Sequence, residues 1–116
     1  ALNEENSADS NYQKLKENLE RLKHAKDISG KSYEVVTIDQ PSRDTFLNER
    51  LPMSYINFYI ANDGIVLPVF DDDKDNDAIE KIQNVFKNKR VVTVPGKPIT
   101  EGGGCVHCIT QQQPLI

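Results

Sequence analysis

No stretch of this chain is apolar enough, for long enough, to cross a bilayer. No basic cluster interleaved with aromatic residues is present, and the net charge is −4, so neither nucleic acid nor an anionic lipid surface is an expected partner. There are only two cysteines, Cys105 and Cys108, too few for a disulfide scaffold, and a reducing, cytoplasmic setting is the simpler expectation. No internal repeat is visible. The chain opens on Ala1 rather than Met, as a processed or truncated product would, and the acidic, polar run from Ala1 to Asn11 lacks the pattern of a signal peptide. What remains is 116 residues, 37% apolar and 28% charged: one domain, or part of one, with a modest core.

The pattern that is present is α/β. Ser10 with Gln13 forms a capping-box pair, and Tyr12, Leu15, Leu19, Leu22 and Ala25 recur at helical spacing. Glu17 and Arg21 are placed to pair on the polar face, and Gly30 ends the predicted helix. Tyr33 to Ile38 is rich in β-branched residues and reads as a strand, and Asp39 to Met53, with Pro41 and Pro52, reads as a loop. Ser54 to Ala61 and Gly64 to Phe70 read as two strands joined at Asn62-Asp63-Gly64, a hairpin turn signal. Asp77 with Glu80 caps a second predicted helix whose apolar face is Ile79, Ile82, Val85 and Phe86, with Lys87, Lys89 and Arg90 at its C-terminal end. Arg90 to Val94 is a fourth predicted strand, Pro95-Gly96 turns the chain, and a tail follows.

The acidic run Asp71 to Asp77 invites comparison with a calcium loop. The spacing fails: counted from Asp71, Asn76 stands where the sharp-turn Gly belongs and Ile82 where the bidentate Glu belongs. Carboxylates there suit a helix N-terminus. Cys105-Val106-His107-Cys108 has the spacing of a redox dithiol and of half a zinc knuckle. Zinc would need four ligands, and only His107 and the distant His24 are left to supply nitrogen. A redox dithiol should open a helix after a strand, whereas Ile109-Thr110 after this motif reads as strand. A buried, inert pair is the plain alternative. Gly102-Gly103-Gly104 immediately before the cysteines adds a different option, because glycines let backbone N–H groups approach a ligand and favour a thiolate.

The whole string from Gly102 through Cys105-Val106-His107-Cys108-Ile109-Thr110-Gln111-Gln112-Gln113-Pro114 resembles the C-terminal signature of the agmatine deiminases, within the bacterial-type peptidylarginine deiminases. Leu51-Pro52, Ser54-Tyr55, Asn57-Phe58-Tyr59-Ile60-Ala61-Asn62 and Val94-Pro95-Gly96 carry the resemblance upstream, over about half the chain. One departure stands out: Cys105 occupies a position where that family usually has Asn.

The resemblance implies a pentein fold, a five-bladed α/β propeller of ββαβ units, of which this chain would supply about one and a half. Residues 1–30 would be the helix of the preceding unit, 31–97 a strand, hairpin, helix and strand, and 98–116 the tail bearing the nucleophile. It implies that Cys108 attacks the guanidinium carbon of agmatine, that Gly103 and Gly104 lie at the substrate, and that neither metal nor cofactor takes part. The acid/base His and the guanidinium-binding carboxylates of the family lie in other blades, and this chain has no His-x-Asp element. His107, beside the nucleophile on an expected strand, would point away and be structural. The implied partners are agmatine, the remaining blades and, through uncovered apolar positions such as Ile60, Val66 and Val69, further copies of the chain. Peptidylarginine deimination and a non-catalytic structural fragment are the alternatives.

Overall fold

Strand formation in this chain follows the partner available more than local propensity. The computed structural model describes residues 1–114, and the predicted tail's last two positions, Leu115 and Ile116, lie outside the described residues. The elements run β1 (Leu2–Asn3), α1 (Tyr12–His24), β2 (Ile38–Asp39), β3 (Thr45–Phe46), β4 (Glu49–Arg50), β5 (Tyr59–Ile60), β6 (Gly64–Val69), α2 (Asp75–Val85), β7 (Arg90–Pro95), α3 (Lys97–Thr100) and a 3₁₀ turn at His107–Ile109. The α/β expectation holds.

The second half contains the regular unit. β5 pairs antiparallel with β6, and β6 pairs parallel with β7 across α2, giving the order strand, strand, helix, strand. The parallel pairing needs the crossover that α2 supplies. β5 opposes only Ile65 and Val66, so Pro68, which has no N–H to give, falls where β6 has a neighbour on one side only. Ile65 and Leu67, alternating along β6, are fully buried with Ala78 and Ile82 of α2 over them. Val85, expected on the apolar face of α2, is half exposed instead, and Ala78 takes its place.

α2 starts at Asp75, two residues before the expected Asp77–Glu80 pair, with Lys74 as N-cap and no side-chain cap hydrogen bond. The Asp75 carboxylate accepts hydrogen bonds from the backbone N–H groups of Phe70 (3.1 Å) and Asp72 (3.2 Å) and from the Tyr55 hydroxyl (2.7 Å). Asp72 in turn accepts from Lys74 N–H at 2.9 Å. The acidic run is thus spent on the loop that leads into the helix. At the other end Gln83 accepts from Val91 N–H (3.3 Å) and donates to the Lys89 carbonyl (2.9 Å), tying α2 to the start of β7.

The first half is less regular than its sequence suggests. α1 begins at Tyr12 with Asn11 as N-cap, not at a Ser10 cap, because Ser10 Oγ accepts from Arg50 at 3.2 Å. It ends at His24; Gly30, at φ 81°, closes a separate turn whose N–H bonds the Asp27 carbonyl. Gln13, not Arg21, is the hydrogen-bond partner of Glu17. No residue of α1 is buried, so its apolar stripe is only partly covered. Of the strand expected over 33–38 only Ile38 is one, because its parallel partner β1 is two residues long. The loop expected over 39–53 contains the small hairpin β3–β4, turned by Leu47 (φ 50°) and Asn48 (φ 66°). Val66 and Val69, named as uncovered, are half-buried, whereas Ile60 is 50% exposed.

Candidate active site around Cys108

Three parts of the fold meet around Cys108. The first is a turn at 54–57, closed by Asn57 N–H donating to the Ser54 carbonyl at 3.1 Å. Tyr55 within it is fully buried, its ring 5.4 Å from that of Phe70 and its hydroxyl on Asp75. This segment was expected to be strand, yet only Tyr59–Ile60 pairs with β6. The buried tyrosine fixes the turn, and the turn presents the Asn57 side chain.

The second part is α3 and the glycine run after it. Thr100 is buried and its hydroxyl donates to the Lys97 carbonyl at 2.7 Å, closing α3 against the core. Gly103 follows with φ 92°, a backbone state that L side chains rarely adopt, and lines a groove of about 250 Å³ with Phe46, Leu51 and Thr100. Gly104 is different. A Cβ there would lie 2.8 Å from Cys108 Cβ and 3.2 Å from its Sγ, so the missing side chain is the space the cysteine occupies.

The third part is the cysteine turn itself. Cys105 and Val106 are buried in the core cluster with Tyr55, Phe70 and Ile82. Cys108 N–H donates to the Cys105 carbonyl at 3.0 Å, and the chain continues as a 3₁₀ turn rather than the strand expected from Ile109-Thr110. Burying Cys105 and turning once through 3₁₀ geometry brings Cys108 to the surface. His107 is not on a strand either; it is exposed on the same turn. Its backbone N–H donates to Asn57 Oδ1 at 2.8 Å and to the Asn57 carbonyl at 3.1 Å. Asn57 Nδ2 lies 3.2 Å from Cys108 Sγ.

The two thiols are therefore unlike. Burial pushes the Cys105 thiol up from its ordinary range, disfavouring the charged form. Cys108 is drawn below the ordinary range, first by the backbone N–H group at Cys105 and then by the Asn57 amide. At a surface position these hydrogen bonds outweigh desolvation, which leaves Cys108 the readier nucleophile of the pair. Both cysteines are free, and among the described residues no group of three or more His, Cys, Asp or Glu side chains is placed to hold a metal ion. His24, the other nitrogen considered for zinc, is on α1 with Nδ1 at the Glu20 carbonyl, 2.7 Å away.

A family profile described as Porphyromonas-type peptidyl-arginine deiminase matches residues 1–114. The chain belongs to this deiminase family. A curated relative from Legionella pneumophila (strain Paris) is 46% identical over 108 residues, 91% of this chain and 31% of its own length. The agmatine deiminase of Ectopseudomonas mendocina (strain ymp) is 60% identical over 65 residues, 56% of this chain and 18% of its own. Among solved structures, an agmatine deiminase of Enterococcus faecalis superimposes with a TM-score of 0.91 at 27% identity, covering 98% of this chain and 36% of that one. The chain thus spans about a third of the length of the first curated relatives it matches. No helix among the described residues is long and apolar enough to cross a membrane.

Of the residues singled out from sequence, Cys108 and Gly104 are in direct contact, and Gly103 stands one residue further back on the same loop. Asn57 was part of the string that carried the family resemblance, but nothing local marked it as a neighbour of Cys108. Its only sequence signal is an amide just ahead of the aromatic run Phe58-Tyr59, and its partner lies 51 positions away.

Proposed function

We propose that this chain carries the nucleophile of an agmatine deiminase and forms part of a pentein propeller. The observation that carries the reading is the contrast between the thiols: one exposed sulfur with the Asn57 amide nitrogen 3.2 Å away, beside one fully buried in the core. In a family named for deimination, with curated relatives named agmatine deiminase, a guanidino carbon is the electrophile that such a thiolate would meet.

The reaction balances as follows. Cys108 Sγ bonds to the guanidinium carbon of agmatine, and the C–N bond to an NH₂ group breaks. That nitrogen takes a proton and departs as ammonia, leaving an amidino-thioether. Water then adds to the same carbon, the C–S bond breaks, and N-carbamoylputrescine and the free thiol are released. A guanidinium is resonance-stabilised, so it must be clamped by carboxylates, and the departing nitrogen must be given a proton. Hydrogen bonds, with no charged side chain among them, account for the lowered Cys108 thiol. The chain has no His-x-Asp element and spans about a third of the length of its curated relatives, so the clamp and the proton donor are assigned to the rest of the enzyme, and the chain alone is read as catalytically incomplete.

The test is kcat/KM of the complete protein for agmatine, arginine and an arginyl peptide. Preference for agmatine, abolished by Cys108→Ser, is expected; preference for the peptide would promote peptidylarginine as substrate. Ammonia release from agmatine by the purified 116-residue chain would refute its incompleteness.

A further inference from the structure

The turn that presents Cys108 is held by a residue 51 positions earlier in the chain, and the chemistry of that contact is directional. A peptide N–H can only donate. The atom of the Asn57 amide that meets His107 N–H at 2.8 Å must therefore be the oxygen. That choice fixes the orientation of the whole carboxamide and leaves its NH₂ group aimed at Cys108 Sγ, 3.2 Å away. A thiolate, which only accepts, is well served by this donor. A thiol is served less closely: its S–H reaches the same Oδ1 at 3.7 Å, the second lone pair of an oxygen that already accepts from His107 N–H, whereas the donor to a thiolate stands at 3.2 Å.

We propose that Asn57 is the positioning residue of Cys108: its carboxamide oxygen pins the turn through His107 N–H, and its carboxamide N–H holds the sulfur as the thiolate. This deepens, and rests on, the reading of Cys108 as the nucleophile. The two halves of the amide do separate jobs. The oxygen works on geometry, because His107 and Cys108 are consecutive and anchoring one places the other. The nitrogen works on charge. Around the sulfur, Cys105 is buried, which pushes its thiol up, and His107 is the exposed neighbour on the turn, while Cys108 is lowered first by the Cys105 backbone and next by the Asn57 amide, with no charged side chain among the causes. The anchor is itself rigid, since Tyr55, two residues before it, is buried and bonded to Asp75.

Asn57→Asp separates the two jobs. It keeps the size of the side chain and an oxygen for His107 N–H, but it replaces the donor at the sulfur with a negatively charged acceptor. The readout is the pH profile of Cys108 alkylation by iodoacetamide in the complete protein, followed by peptide mass spectrometry. Cys105, buried in the same peptide, reports whether the tail has stayed folded. The expected wild-type midpoint lies below that of an ordinary cysteine, about 8.5. In Asn57→Asp the midpoint moves upward and labelling at pH 7 slows by roughly tenfold or more while Cys105 stays unlabelled. Asn57→Ala, losing both contacts, also labels Cys105 faster. A superimposable profile for Asn57→Asp with Cys105 protected overturns the proposal. Should Asn57→Asp expose Cys105, the wild-type profile decides: a Cys108 that ionises no more readily than an ordinary cysteine also overturns it. Agmatine turnover is scored separately. A shifted alkylation profile in a wild-type protein that does not turn agmatine over sinks the substrate reading and leaves the role of Asn57 standing.

Discussion

Gly104→Ala adds one methyl group at the position where this fold has no room for it. The new Cβ would stand 2.8 Å from Cys108 Cβ and 3.2 Å from Sγ. Carbon atoms in ordinary contact are about 3.5 Å apart or more, so roughly 0.7 Å must be absorbed by one partner. Cys108 Cβ cannot swing away as the tip of a long side chain could, because it is bonded to backbone that is held by Cys105 and Asn57. The overlap should cost stability at the lower end of the usual overpacking range, about 1 kcal/mol, since the solvent side of the tail can yield. The larger effect is on chemistry: displacement of a nucleophile by a sizeable fraction of an ångström is worth about tenfold to a hundredfold in rate. The assay is kcat for agmatine in the complete protein beside thermal unfolding. A fall in kcat of at least tenfold with a Tm change of a few degrees is expected. Gly103→Ala supplies the contrast, because no atom lies within 4 Å of its added Cβ and the penalty is backbone strain at φ 92°. If Gly104→Ala turns over at the wild-type rate, or if Gly103→Ala loses more activity than it does, the steric reasoning is wrong.

Tyr55→Phe removes the hydroxyl that donates to Asp75 at 2.7 Å, while the Phe70 and Asp72 N–H groups still serve that carboxylate. It should lower unfolding stability by about 1.5 kcal/mol, read as a lower urea midpoint at unchanged m value; an unchanged midpoint counts against the contact. Asp9, held by Arg50 at 2.8 Å and by the Asn11 N–H, has its carboxyl pulled from 3.8 down to about 2. A depressed folded value means the stabilisation is present above pH 3.8 and is lost as the pH falls towards 2, so the Tm gap between wild type and Asp9→Asn should close across that window. A gap of the same size at pH 7 and pH 2 would exclude the ion pair as its source. The isolated chain should sediment above monomer mass at high concentration, because β5 and β7 are both open edges and Ile60 and Val92 are 50% and 44% exposed; a clean monomer refutes this. Cys105→Asn, which puts an amide where burial is complete, should lower Tm yet keep turnover, and a dead but folded variant would reverse the assignment of the two cysteines.

The sequence was most readable where one element's own pattern decides its fate. The alternation in Gly64–Val69, the apolar spacing of α2 and the β-branched run of β7 all reappear in the structure with nearly the expected bounds. It was least readable where a distant residue decides. Tyr33 to Val36 has strand composition but, among the described residues, no strand to pair with, and Ser10 could cap α1 but is taken by Arg50. Asp77–Glu80 had the form of a capping box, yet Asp75 is nearer the loop N–H groups that need an acceptor. Around Cys108 the glycines could be seen, but not which of them was spatially required. Ile109-Thr110 looked like strand because propensity cannot register that Cys105 is already anchored in the core and that its carbonyl is free to close a turn. Cys108 itself was singled out by resemblance to a family, and the difference between its environment and that of Cys105 came only with the fold.

The tail's mode of attachment bears on how such a protein ages. Cys105 and Val106 seat it in the core at one point and Asn57 grips it at another, while the β6–β7 ladder makes its hydrogen bonds without it. Detachment of the tail is then a local opening, cheaper than unfolding the sheet. Once it is loose, Cys108 loses its hydrogen bond from Asn57, and Cys105 gains the solvent that it was denied. During storage or mild heating, loss of catalytic competence and loss of secondary structure should therefore run on separate clocks. The thiol count would register the first well before circular dichroism registers the second, and a preparation judged sound by its spectrum could already be inactive.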